Sequence, residues 1–272
     1  METGNSMSSH RVNLLYSYTS SIAQSSCFKK IVRLVSDNFC LVYLDAENTI
    51  LQLHHYDFGS NVLSMAEKIQ AIREIDETIN CKAEKEIFVY HAFANIQLPS
   101  HLYSAAVAEE SLHLMVPQAE NYAIVNQKNE EYDIENISAW PKELFQAVRQ
   151  YFPDASLQNT TNALLRKLHQ QQENVLIFID NECVTISAKN HRQFSGMNSF
   201  AFKHVEDCCY YVMAFLRKMY ENVDLAQPVL CGNFVPNSPI YDLLYRYFTN
   251  IKIGELAQPV ENSYRYYEIT FY

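Results

Sequence analysis

The sequence predicts a mixed α/β protein that is built from two copies of one strand–helix plan. Three short strands followed by an amphipathic helix are predicted first over residues 30–80 and again over residues 174–219. Each copy carries an Asp-Asn pair at its first hairpin corner, Asp37-Asn38 and then Asp180-Asn181. A plan that recurs along one chain predicts a duplicated fold of two lobes.

The strands and helices of both copies follow from their residue patterns. The first copy has the β-branched and aromatic runs IVRLVS, FCLVYLD and TILQLHHYDF, and the second has NVLIFID, ECVTISAK and HRQFSGMNSF. Apolar residues at helical spacing follow each set, from Val62 to Ile79 and from Val205 to Met219. Cys208 and Cys209 lie within the second apolar stripe, so we expect buried, reduced thiols without a metal.

The later part of each copy repeats as well. PKELFQAVRQYF and NSPIYDLLYRYF each predict a helix that ends in Tyr-Phe before a turn and a short strand. These Tyr-Phe pairs lie 96 positions apart (247 − 151), whereas the two corners lie 143 positions apart (180 − 37). The difference predicts an insertion in the first copy, over about residues 82–128. We therefore expect a flexible tail over 1–28, a first lobe over 29–172 and a second over 173–272.

Charge and cysteine content narrow the class of protein. The 272 residues include 21 basic and 31 acidic side chains, and the net charge of −10 argues against binding to nucleic acid or to an anionic membrane surface. The seven cysteines are odd in number and have no zinc-binding spacing, which is typical of a reduced compartment. With no signal peptide and no apolar run of about 20 residues, we expect a soluble, cytoplasmic protein.

Four segments give the sequence a family resemblance: LVSDNFCLVYLD, IQLPSHLY, FKHVEDCCYYVMAFL and PVLCGNFVPNSPIYDLL. From about Lys29 to its end, the chain resembles an uncharacterised bacterial family, a domain of unknown function, with an actin-like ATPase fold. That resemblance implies two ribonuclease-H-like lobes facing a cleft. It implies no particular activity.

The resemblance also identifies candidate residues for a nucleotide cleft. In active members of the superfamily, the two hairpins are phosphate loops in which glycines admit the triphosphate and carboxylates hold Mg²⁺. Here neither corner contains glycine, and Asp-Asn is also a good pair for a plain tight turn. A third segment, VLCGNF, matches the adenosine motif with a single glycine. The candidates are Asp37, Asn38, Asp180, Asn181, Gly232 and Asn233; we assign no catalytic residue.

Two further segments have structural and functional interpretations. His54 and His55, with Asp57 nearby, suggest a metal site, but neighbouring strand residues point to opposite faces, so we predict no metal there. The end of the chain, YRYYEITFY, alternates as a closing strand does. The alternative for this end is an exposed aromatic edge that recruits a partner.

Three functions remain open on this sequence. The leading hypothesis is a non-catalytic actin-like protein, a pseudo-ATPase, that acts by binding another macromolecule and has an unknown protein partner. It rests on the glycine-free corners and on the 19 tyrosines. The alternative is a nucleotide-binding switch or weak ATPase that uses ATP and Mg²⁺ in the interlobe cleft. The third is a small-molecule binder that uses the same cleft without phosphate.

Overall fold

The structure is a computed structural model that describes residues 12–20, 27–35, 38–59, 63–181 and 183–272. The strands in these ranges are β1 (Asn13–Thr19), β2 (Lys29–Val35), β3 (Asn38–Leu44), β4 (Ile50–Asp57), β5 (Lys85–Tyr90), β6 (Asn95–Pro99), β7 (Tyr122–Asn129), β8 (Ile134–Pro141), β9 (Ser156–Asn159), β10 (Val175–Asp180), β11 (Cys183–Asn190), β12 (Gln193–Ala201), β13 (Pro228–Gly232) and β14 (Lys252–Ile253). The α-helices are α1 (Met65–Ile75), α2 (Ala105–Met115), α3 (Lys142–Tyr151), α4 (Thr160–Gln170), α5 (Val205–Met219) and α6 (Pro239–Tyr247).

The first sheet has the strand order β1-β4-β3-β2-β5-β9. Strands β2 and β3 form an antiparallel hairpin whose last paired residues are Val35 and Asn38. Its corner, including the candidate residue Asp37, lies outside the described residues. The apolar run FCLVYL forms β3, which is buried along nearly its whole length because it lies inside the sheet.

The second sheet has the strand order β12-β11-β10-β13-β14. Strands β10 and β11 form its first antiparallel hairpin, while β13 pairs with β10 in parallel. When the edge strand β1 is left out, the first sheet has the same order as the second. If the strands are numbered within each copy, both sheets have the order third, second, first, fourth and fifth. The two sheets therefore repeat one topology, as a duplicated plan predicts.

Strand β10 is buried on both faces because helices cover both sides of the second sheet. Val175, Ile177 and Ile179 pack into a core that α5 and α6 complete. Leu176 and Phe178, which point the other way, pack against the apolar side of α4. This double burial explains why VLIFI is a continuous apolar run instead of an alternating one.

A third sheet, with order β6-β8-β7, accounts for the extra length of the first copy. Helix α2 packs on it through a small core that includes Leu112, Val116 and Ala139. The insertion expected at about 82–128 includes the segment EIFVY, which forms a strand. That strand is β5, which lies in the first sheet between β2 and β9. Its buried Ile87, Phe88 and Val89 make it a core strand, so the added elements are β6, α2, β7 and β8.

The chain divides into two compact units. The first comprises Met1–Phe88 and Glu143–Ala155, and the second comprises Val89–Lys142 and Ser156–Tyr272. The lobe limits expected from the sequence, 29–172 and 173–272, remain a prediction. None of the helices in the described part of the chain has the length and apolar character that crossing a membrane requires.

Two expectations for the ends of the chain were wrong. Within the predicted flexible tail over 1–28, Asn13–Thr19 forms β1, which pairs antiparallel with β4. Backbone pairing orders this segment although five of its seven residues stay exposed.

The predicted closing strand over YRYYEITFY is instead two short 3₁₀-helices, Ser263–Tyr266 and Ile269–Phe271. Tyr266, Ile269 and Tyr272 are all buried, and their spacing of three matches the period of that helix. Tyr264 and Tyr267 are also buried. In a strand, even-numbered and odd-numbered residues would point to opposite faces, so these residues and Ile269 could not all face one core. The aromatic residues therefore enter the core and do not form an exposed edge.

Candidate functional site

Four of the candidate residues meet at the ends of two neighbouring strands in the second unit. Asp180 ends β10, Asn181 turns the corner towards β11, and Gly232 ends the parallel strand β13. The backbone N–H of Asn233 donates a 2.6 Å hydrogen bond to the carbonyl oxygen of Ile179, one residue before Asp180. The carboxyl ends of parallel strands meet at one edge of a sheet, which is a common position for a ligand site in α/β folds.

A side-chain hydrogen bond bridges the two strand ends. Nδ2 of Asn233 donates to Oδ1 of Asn181 across 2.5 Å. Asn181 is exposed and has a φ of 42°, a left-handed conformation that Asn adopts more readily than most residues. The corner is thus a tight turn that its own side chain ties to the neighbouring loop.

Gly232 is required by the contact between the two strands. Its φ is 98°, and a Cβ placed on it would lie 2.1 Å from the carbonyl oxygen of Ile179. No larger residue fits without displacing the backbone of β10. The single glycine of the adenosine-like segment is therefore accounted for by strand packing.

Asp180 is buried, with 3% of its surface exposed, and it affects neighbouring groups. Burial, with a further contribution from the Asp180 carboxylate, raises the pKa of Cys183 to about 12. Burial also raises the pKa of Tyr90 to about 12, and the charges of Tyr122 and Asp180 add to this effect. The Cys183 thiol is therefore held in its protonated form and is a poor nucleophile.

The equivalent corner of the first unit is described only in part. Asp37 lies outside the described residues, whereas Asn38 begins β3 and is half-buried. Oδ1 of Asn38 lies 3.0 Å from Nε2 of His55 on the adjacent strand. Asn38 therefore has a structural role in holding β3 against β4.

The second unit contains a buried polar network that was not predicted from the sequence. Its hydrogen bonds form a chain in the order Thr161, Asn136, Gln97, Asn95, Ser199 and Thr185. His91 Nε2 lies 3.4 Å from the Thr185 hydroxyl, at the outer limit of a hydrogen bond and long for proton abstraction. The segment NTTN, over 159–162, was the available signal: Asn159 caps α4, the other three residues begin that helix, and all four are fully buried.

The two neighbouring histidines of β4 bind different groups. His54 Nδ1 lies 2.6 Å from the Asp76 carboxylate, while His55 contacts Asn38 on the other side. This agrees with the prediction that they point to opposite faces of the strand. Throughout the described ranges, no three His, Cys, Asp or Glu side chains come together as metal ligands would.

One sequence family matches most of the chain. A family described as "Protein of unknown function (DUF3822)" matches residues 19–251. The chain belongs to this family. No curated protein sequence matches the DUF3822 chain at a significant level.

Solved structures identify the fold of the DUF3822 chain. It is similar to a Bacteroides thetaiotaomicron VPI-5482 protein that has an actin-like ATPase fold and unknown function, with a TM-score of 0.73 and 13% identity. The likeness covers 87% of this chain and 94% of that one. The predicted actin-like ATPase fold and the resemblance to an uncharacterised family are therefore confirmed.

Two further structures are similar to the DUF3822 chain at lower scores. The PilM-PilN type IV pilus biogenesis complex gives a TM-score of 0.60 at 10% identity, covering 88% of this chain and 96% of that chain. The ethanolamine utilization protein EutJ from Carboxydothermus hydrogenoformans gives 0.54 at 9% identity, covering 90% and 89%. At these identities the likeness concerns the fold alone.

Proposed function

We propose that the chain is a non-catalytic actin-like protein that acts by binding a protein partner. The observation that carries the proposal is the corner of the second unit. Asn181 and Asn233 bond to each other across the gap between the strand ends, in the space where a phosphate would have to approach backbone N–H groups. The arrangement favours a fixed turn over a phosphate loop.

Gly232 supports the same conclusion. Active phosphate-binding loops use glycine to let a ligand come close to the backbone. The missing side chain of Gly232 instead makes room for the Ile179 carbonyl oxygen. The residues of this corner therefore fit Mg²⁺ and ATP poorly, and we derive no phosphoryl-transfer step from them.

Charge at the corner also disfavours a triphosphate. The buried Asp180 carboxylate lies at the strand end, and the whole chain has a net charge of −10. Carboxylates assist phosphate binding only when a metal ion and several N–H donors outweigh their repulsion. Among the described residues of this corner, the side-chain amide of Asn233 already donates to the side-chain oxygen of Asn181.

Exposed tyrosines support the binding part of the proposal. Helices α5 and α6 pack together through their apolar sides and carry Tyr210, Tyr245 and Tyr247, which are 67%, 46% and 56% exposed. Tyr211 is held by stacking on Phe200, with ring centroids 4.8 Å apart. Tyrosine supplies large amphipathic contact area at a small loss of side-chain entropy and is enriched at protein interfaces.

The fold itself is compatible with such a role. The PilM-PilN structure, which resembles this chain in fold, is a complex of two named proteins. That likeness supports the choice of a protein as the partner and does not identify it.

The test of partner binding is capture from the native cell, followed by reconstitution with the purified partner. We expect Tyr210→Ala/Tyr245→Ala to lose the partner while keeping the thermal midpoint of the wild type. Leu114→Ala on α2 is the matched control, because Leu114 is 88% exposed and lies on another helix. Equal binding by the double tyrosine variant and the control would contradict this surface, and failure to reconstitute any complex would contradict the proposal.

The second candidate function is a nucleotide-binding switch or weak ATPase. It is favoured by the convergence of Asp180 and the Gly232-Asn233 loop at the ends of neighbouring parallel strands. Thermal unfolding with Mg-ATP separates the two, since a ligand at 100 times its Kd adds about 2.7 kcal/mol of stability. We expect no shift, and no ATP hydrolysis above that of Asp37→Ala/Asp180→Ala. A hydrolysis rate that the double substitution abolishes would favour the nucleotide-binding switch over the non-catalytic binding protein.

A further inference from the structure

A cavity in the second unit gathers positive charge at one end of α4. Its volume is about 560 Å³, which lies within the range of small-molecule sites. The lining residues are His169, Gln170, Gln171, Gln172, Lys189, His191 and Arg192. None of these side chains is acidic, although acidic residues outnumber basic ones by 31 to 21 in the chain.

The turn between β11 and β12 presents two of these side chains to the cavity. Asn190 pairs with Gln193, so His191 and Arg192 form a two-residue corner, and both are exposed. His191 has a φ of 55°, the left-handed conformation. In the part of the chain that the structure describes, Arg192 forms no ion pair, so its guanidinium group is available to a ligand.

Lys189 contributes charge at the base of the cavity. It is buried, and its Nζ donates to the carbonyl oxygens of Leu168, His169 and Gln171, at 2.6, 3.4 and 2.5 Å. These carbonyls belong to the end of α4, so the ammonium group offsets the negative end of the helix dipole. An anion at this helix end is therefore not repelled as it would be at an uncapped one.

The two cations lie close enough to affect one another. Burial lowers the pKa of Lys189, Glu173 opposes this effect, and the charge of Arg192 adds to it. Glu173 itself accepts a 2.5 Å hydrogen bond from Lys252. Glu173 thus offsets the repulsion between Lys189 and Arg192, but none of the residues that line the cavity itself is acidic.

We propose that this cavity binds the phosphate group of a small phosphate monoester. Such a group carries a charge of nearly −2 at neutral pH. Arg192 supplies the exposed positive charge that attracts it, while Lys189 offsets the negative helix end at the base of the cavity. The planar guanidinium of Arg192 suits two phosphate oxygens, and the imidazoles of His169 and His191 add N–H donors. The glutamine amides offer both donors and acceptors to the rest of the ligand.

The site is distinct from the candidate nucleotide corner. Strand β11 begins at Cys183 beside that corner and reaches the cavity at Lys189, six residues later. An extended strand of this length spans about 20 Å. A ligand in the cavity therefore does not touch Asp180, and the proposal stands whether or not the second unit binds nucleotide.

The test is calorimetric titration with glycerol 3-phosphate, with inorganic phosphate, glycerol and acetate as comparison probes. We expect saturable binding of the two phosphate compounds and none of glycerol or acetate. Arg192→Gln should weaken binding by at least about tenfold, since it removes the exposed guanidinium group that can hold two phosphate oxygens. His191→Gly, which retains a residue suited to the left-handed turn, should weaken it less.

Two controls make the result decisive. Arg217→Gln removes an exposed arginine from the last turn of α5, and Asp180→Asn alters the nucleotide corner; neither should change the affinity. A phosphate-dependent rise in the thermal midpoint that Arg192→Gln abolishes would support the site independently. Absence of saturable binding at millimolar phosphate, or equal affinity in Arg192→Gln and the wild type, would overturn the proposal.

Discussion

Nδ1 of His54 lies 2.6 Å from Oδ2 of Asp76, which joins β4 to the junction that follows α1. The same carboxylate accepts hydrogen bonds from the hydroxyl of Tyr56 at 2.7 Å and from the backbone N–H of Thr78 at 2.9 Å. Tyr43 on β3 donates to the Thr78 hydroxyl across 3.1 Å. One buried carboxylate thus fixes the end of α1 against two strands of the first sheet.

Removal of this charge should destabilise the first unit. Asp76→Asn places an N–H₂ donor where an oxygen now accepts, leaving buried donors unpaired, and we expect a loss of about 3 kcal/mol. Urea unfolding measures the change. Asp154→Asn, in an exposed turn, is the matched control and should stay within about 0.5 kcal/mol of the wild type. A loss no larger than that of the control would contradict this role.

The same carboxylate should make stability depend on acidity. Burial alone would raise the pKa of Asp76, but hydrogen bonds from His54, Thr78 and Tyr56 outweigh it and hold the pKa well below its usual range. Its contribution is therefore complete above the unfolded pKa of about 3.9 and is lost as the pH falls towards the folded value. The urea midpoint should be measured from about pH 6 down to about pH 3. We expect it to fall more steeply below about pH 4 in the wild type than in Asp76→Asn.

Gly232 should tolerate no side chain. Gly232→Ala places a Cβ 2.1 Å from the Ile179 carbonyl oxygen at a φ of 98°, so we expect a loss of more than about 3 kcal/mol. Gly59→Ala is the control because Gly59 also has a positive φ, of 59°, but nothing lies within 4 Å of the added Cβ. Its loss should be about 1 kcal/mol. Similar losses in both variants would show that steric contact with β10 is not the cause.

The cysteines should differ sharply in reactivity. Cys208 and Cys209 are buried in the core beneath α5, and burial is the main reason that the pKa of Cys208 rises to about 12. Cys81 is exposed. We expect a thiol reagent to label Cys81 rapidly in the native protein and Cys208 only on unfolding. Cys81→Ser should remove the fast phase, and rapid labelling of both core thiols would contradict their predicted burial.

At the corner formed by Asp180 and Asn181, residue patterns predicted the turn but not its contacts. Asp180-Asn181 was recognised as a turn because Asn tolerates a positive φ, and the structure has Asn181 at 42°. The contact between Asn181 and Asn233 could not be predicted from the sequence, since 52 positions separate the two residues. Only the parallel pairing of β10 with β13 brings them together.

The end of the chain shows the opposite outcome. Alternation in YRYYEITFY predicted a strand, yet the buried Tyr266, Ile269 and Tyr272 recur at a spacing of three, which suits 3₁₀-helices equally well. Burial decided between the two periods: Tyr264 joins the core beneath α5 and α6, whereas Tyr267 joins the core against α4. A short pattern that fits two periods cannot predict which packing surface is present.

The sequence by itself determined the repeated strand–helix plan and the burial of Cys208 and Cys209, because both depend on local periodicity and short turn signals. The actin-like fold was predicted from the family resemblance. Tertiary structure alone decided that His54 binds Asp76, that Gly232 packs on Ile179, and that Lys189 shares one cavity with His169. These relationships join residues far apart in the chain. Their distances are set by strand order and helix packing, which no local pattern of residues specifies.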